Sequence, residues 1–193
     1  NLEHHSNIFR LASDVDPTPL FGKGNRSDTL LVGTAGVLFD REFSRQRLRL
    51  EARLNPTKYF TYSKFDYLGY LASGKLDWAI GSALYGDVGA RFAQVQTSFI
   101  GTQYGGDKNL ERRNRVFFTG GVRMTPNWSV FGQVNHENLD NSLGQSAFQA
   151  ANYRLTGTEA GLRYEPGSGT EISILGAHSK ATYPNLQTVD IFG

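Results

Sequence analysis

Four histidines, His4, His5, His136 and His178, are the residues best suited to move protons or hold a metal in this chain. His4 and His5 are adjacent but have no cysteine or carboxylate at ligand spacing, so the sequence predicts a solvated pair. His136 is followed by Glu137 and Asp140, and Ser142 and Ser146 lie close behind. A histidine that activates one of those serines would make a hydrolase at the rim of the fold, but a rim histidine without an orienting partner is an ordinary loop residue. There is no glycine-rich phosphate loop, no His-Glu-x-x-His helix and no nucleophile elbow. The reading is therefore of a non-enzyme with no catalytic residue, no metal and no cofactor.

The guanidinium groups offer more. Residues 46–54 read Gln-Arg-Leu-Arg-Leu-Glu-Ala-Arg-Leu. In an extended chain successive side chains point to opposite sides, so Leu48, Leu50, Ala52 and Leu54 share one face. Arg47, Arg49, Glu51 and Arg53 share the other. Later segments extend the charged face with Lys75, Arg91, Arg113, Arg115, Arg123 and Arg163. Asp77, Asp87, Glu137, Glu159 and Glu171 have the same parity. Such a face could line a wet channel whose arginines favour anionic or hydroxyl-rich solutes. It could equally be a set of paired charges that holds the shape of the fold.

The elements that carry these residues are long. Turn-forming clusters divide the sequence into segments near 28–40, 46–60, 66–80, 84–98, 112–125, 127–140, 151–165 and 170–183. Each is longer than the usual 5–6 residues of a globular strand and long enough for a tilted membrane strand of about 9–11. Their connections alternate between tight turns (41–45, 81–83, 126 and 166–169) and longer polar links (61–65, 100–111 and 141–150). That rhythm predicts an all-β, antiparallel up-and-down transmembrane β-barrel of about eight strands over 27–193. Residues 1–26 read as a periplasmic lead-in with one extended piece at 7–11. The apolar face should point outward through Leu48, Leu50, Leu76, Val116, Val122, Val130, Leu162 and Ile174. Trp78, Trp128 and Tyr164 lie on that face beside tight turns, as an interfacial aromatic girdle would. Leu30, Leu31, Val32, Val37, Leu38 and Phe39 mix parities around Gly33 and Gly36, which predicts a bulge or seam.

Composition agrees. No run of about 18 apolar residues exists, so no helix can span a membrane, whereas a barrel needs an apolar residue only at every second position. The 22 glycines and 12% aromatics suit a turn-rich β protein, and a net charge of +2 calls for no nucleic acid. The absence of cysteine is compatible with export. Asn1 in first place points to a processed or trimmed start, with no signal peptide in view.

Several stretches resemble a known family. Asn7-Ile-Phe-Arg-Leu11, Ser27-Asp-Thr29 and Ser44-Arg-Gln-Arg-Leu-Arg-Leu50 are similar to the opening of the EpsL-type outer-membrane proteins, which accompany exosortase-linked exopolysaccharide clusters in Gram-negative bacteria. Asp66-Tyr67, Gly74-Lys-Leu-Asp-Trp78 and Gly81 continue the likeness in order. These motifs are short and partly shared with the broader porin-like group. The resemblance implies a Gram-negative outer-membrane barrel, in contact with outer-membrane lipid and lipopolysaccharide. It also implies a part in exopolysaccharide biosynthesis or export, with polysaccharide and other export components as partners and no catalytic residue. Family members are longer, with about twice as many strands, so the chain is expected to be the N-terminal portion of such a barrel.

Overall fold

A computed structural model describes residues 1–97, 107–144, 149–167 and 169–186. They include one antiparallel sheet of ten strands, a short helix and a 3-10 turn. In chain order these are β1 (Leu2–His5), α1 (Thr18–Phe21), β2 (Asp28–Val32), β3 (Ala35–Phe43), β4 (Gln46–Tyr59), β5 (Tyr67–Ile80), β6 (Leu84–Gln96), β7 (Leu110–Arg123), β8 (Trp128–Asn141), β9 (Tyr153–Tyr164) and β10 (Ile172–Thr182). From β4 to β10 every strand pairs with its sequence neighbour, the meander that the alternating links predict. The sheet is open: among the described residues β10 pairs only with β9, and β3 only with β4.

The strand expected over 28–40 is β2 and β3, and its interruption is not a bulge. Val32 lies opposite Thr57 and Ala35 opposite Leu54, so the two pieces keep one register against β4. Pro56 stands at the gap. It has no N–H to give the ladder, and Gly33 N–H reaches across to the Pro56 carbonyl at 2.9 Å. A side chain at Gly33 would meet the Pro56 ring at 3.1 Å, so the glycine answers the proline.

The lead-in also differs from its reading. The extended piece is β1, paired with β2, and not residues 7–11. Asn7 closes residues 7–11 into a turn, donating from Nδ2 to the Leu11 carbonyl (2.7 Å) and accepting from Leu11 N–H (3.1 Å). Arg10 there takes a left-handed φ of 53°. The apolar residues of this turn are used for packing: Phe9 stacks on Phe21 with ring centres 3.5 Å apart, and both meet Tyr62 and Phe65 edge-on. Leu30 and Tyr59, directly opposite in register, complete a buried aromatic core at the end of the sheet where the long links leave. That packing explains why Leu30 and Val32 break the outward parity. Asp28, buried beneath, accepts from the N–H groups of Thr29, Thr61 and Tyr62 and so ties β2 to the link after β4. Burial, with Asp28 beside it, pushes the Tyr62 phenol above its usual value.

Candidate functional site

Directly opposite residues in an antiparallel ladder share a face, so the register sorts the sheet into two surfaces. One is apolar and bare. Leu48, Leu76, Val88, Phe118 and Val134 form one row across β4–β8. Leu50, Val88, Val116, Phe118, Val122, Val130 and Val134 are each 41–46% exposed among the described residues. A soluble monomer seldom shows so broad an apolar patch.

The band on this face does not follow the hydrogen-bond rows. On β5 it runs from Ile80 to Leu68. On β6 it stops at Phe92, opposite Ala72, with Gln94 next. On β7 it stops at Val116, whose row passes through Ala90 to Gly74, before Asn114 and Arg112. On β8 it stops at Val134, in the row of Leu76, before His136 and Asn138. Its limit thus moves toward the tight-turn end by roughly one same-face row per strand, the oblique course that a level band takes across tilted strands.

Trp78, Trp128 and Tyr164 all lie on the apolar face near tight turns. Trp78 stacks near Phe118 with ring centres 6.2 Å apart, and Trp128 meets Tyr164 across the ladder at 4.7 Å. The row of Trp78 reaches β8 at Gly132, two same-face positions short of Trp128, an offset in the same direction as the slope of the band.

The second face carries all the predicted charges, and most of them are matched. Arg47 grips Asp40 bidentately (2.7 and 2.8 Å), Arg49 meets Asp77 at 2.5 Å and Arg53 meets Glu51 at 2.6 Å. Lys75 bridges Asp77 and Asp87. Arg113 reaches Glu111 at 3.2 Å and Glu137 at 4.0 Å, and Arg163 reaches Glu171 at 3.1 Å.

A repeated unit on this face escaped the sequence reading. Tyr85 lies against Gly121, Phe131 against Gly161 and Phe117 against Gly89, each ring occupying the space a side chain on the glycine opposite would need. A methyl group on any of the three would meet ring carbon at 2.5–2.9 Å. An arginine then stacks on each ring: Arg123 over Tyr85 at 4.6 Å, Arg163 over Phe131 at 4.9 Å and Arg115 over Phe117 at 5.9 Å. The signal was present as Gly-x-Arg in Gly89-Ala-Arg91, Gly121-Val-Arg123 and Gly161-Leu-Arg163. In the last two the arginine covers the ring beside its own glycine. In the first, Arg115 from the partner strand takes that place, and the Arg91 side chain has no hydrogen bond, ion pair or ring contact among the described residues.

His136 sits on the apolar-face side of β8, its Nδ1 2.9 Å from Thr156 Oγ1. Glu137 falls on the opposite face, where it accepts from the Tyr153 hydroxyl. Ser142 Oγ accepts from Leu110 N–H at 2.8 Å. Ser146, Ser98 and parts of the links at 100–111 and 141–150 lie outside the described residues. His4 Nδ1 meets Thr29 Oγ1 at 3.1 Å and His5 meets Glu3, and no three potential metal ligands converge among the described residues. The chain matches no known protein-family model, no curated protein and no solved structure.

Proposed function

We propose that this sheet is the wall of an outer-membrane β-barrel, with lipid on its apolar face and a wet, charged interior on the other. The barrel would serve extracellular polysaccharide production as a conduit or assembly component. The observation that carries the membrane reading is the bare apolar band and its oblique course across the register. An apolar layer set by a flat bilayer must keep one height while tilted strands pass through it. A core set by a second sheet has no such requirement.

Unpaired backbone groups are costly in hydrocarbon, so the free edges of β3 and β10 are the ones that closure must satisfy. The lead-in core lies at the end of the sheet where β4, β6 and β8 finish, and therefore on one side of the membrane in this reading. The polysaccharide role rests on the resemblance of short motifs alone. A second reading, a structural barrel with a filled interior, is favoured by one observation: most charges on the polar face neutralise one another. Planar-bilayer recording separates the two. A conduit gives stepwise conductance, whereas a filled barrel inserts silently. A chain that stays monomeric in water and leaves vesicles untouched overturns both. Deletion in the cell should lower exported polysaccharide, and an unchanged yield refutes that role.

A further inference from the structure

We infer that Arg91 and Arg115 form a binding site for an oxyanion, a carboxylate or phosphate group carried by a solute. Arg91 on β6 and Arg115 on β7 are direct cross-strand partners. Opposed side chains in a ladder stand about 5 Å apart at Cβ, so like charges there repel. Every other arginine that faces this interior is matched by a carboxylate or occupied at a ring with a carbonyl or carboxylate beside it. Arg91 has no partner among the described residues, and Arg115 has only the face of Phe117.

The nearby carboxylates have other partners: Glu51 has Arg53, Glu111 has Arg113, and Glu137, which lies opposite Arg115 on β8, accepts from the Tyr153 hydroxyl and stands 4.0 Å from Arg113. The two arginines border a groove of about 370 Å³ that Ala93, Val95 and Arg113 also line, with Glu111 held by Arg113 and Glu137 accepting from the Tyr153 hydroxyl on the same wall. An oxyanion between the two would relieve the repulsion and accept from both planar forks. The sequence predicts anion preference for the whole arginine face, but Arg47, Arg49 and Arg53 are already neutralised.

The inference rests on the polar face bordering water, as the proposed function has it, yet the two can fail separately. The test is thermal unfolding of the full chain folded in detergent, with inorganic phosphate or acetate against chloride at matched ionic strength. Wild type should gain more from phosphate or acetate than from chloride, and the tighter of the two names the group. Arg91→Gln and Arg115→Gln should each weaken that binding roughly tenfold or more, because a charge-assisted bidentate contact is lost. Arg91→Lys, which keeps the charge and the fold but not the fork, should retain part of it, and Arg47→Gln should leave it unchanged. Equal responses to all three anions, or equal loss in Arg47→Gln, overturn the site. Conductance is recorded independently, so a silent barrel that binds phosphate through Arg91 refutes the conduit and keeps the site.

Discussion

Val88→Arg is the most direct probe of which solvent the apolar face meets. Val88 lies midway along β6, between Leu76 and Phe118 in its row, and is 41% exposed. If water bathes that face, a long polar side chain at a half-exposed strand position changes stability by within about 0.5 kcal/mol. If hydrocarbon bathes it, arginine near the midplane costs about 2–4 kcal/mol. That is roughly a 30- to 900-fold fall in the folded-to-unfolded ratio at 1.36 kcal/mol per decade. The assay is reversible urea unfolding in phosphatidylcholine vesicles, with Thr119→Arg as the polar-face control, since Thr119 lies opposite Asp87. Arginine placed in turn at Leu84, Val88 and Phe92 should cost most at Val88, because the penalty falls toward the interfaces. A flat, small profile, or a larger loss for Thr119→Arg than for Val88→Arg, would refute the lipid-facing assignment.

Gly121→Ala should cost about 1–3 kcal/mol, because the new methyl meets the Tyr85 ring at 2.5 Å and must lift it from beneath Arg123. Adding Tyr85→Ala should recover part of the loss, and strict additivity in urea melts would count against the glycine–ring–arginine unit. Tyr62 makes the lead-in sensitive to alkali. Its phenol is raised above its usual value of 10.0 by burial and by Asp28, so the folded state favours the neutral form. The resulting stability is complete below pH 10 and is lost as pH rises through the folded value. Proteolysis of residues 1–26 should therefore accelerate above pH 10 in wild type, and an equal acceleration in Tyr62→Phe would refute the assignment.

The two-faced sheet was legible in residues 46–54 and their later counterparts because alternation is a property of one strand and needs no knowledge of its neighbours. Tight and long links fixed the antiparallel meander for the same local reason. Strand boundaries followed to within a few residues, as for β5 and β8.

What the sequence left open depends on which residues meet across strands. Pro56 splits β2 from β3 because it faces Gly33, a neighbour more than twenty positions away, although the apolar mixture near Gly33 and Gly36 suggested a bulge or seam. Phe9 and Ile8 resembled a short strand, but a buried partner set contributed by Phe21, Tyr62 and Phe65 outweighs extended pairing. The charged face could be enumerated residue by residue, yet its chemistry lies in the differences among identical side chains. Arg47, Arg49 and Arg53 end against carboxylates, Arg123 and Arg163 against rings, and Arg91 against another arginine. Sequence sets the face of an arginine through strand parity, a local rule. Its charge partner is set by inter-strand register, which only the folded sheet decides.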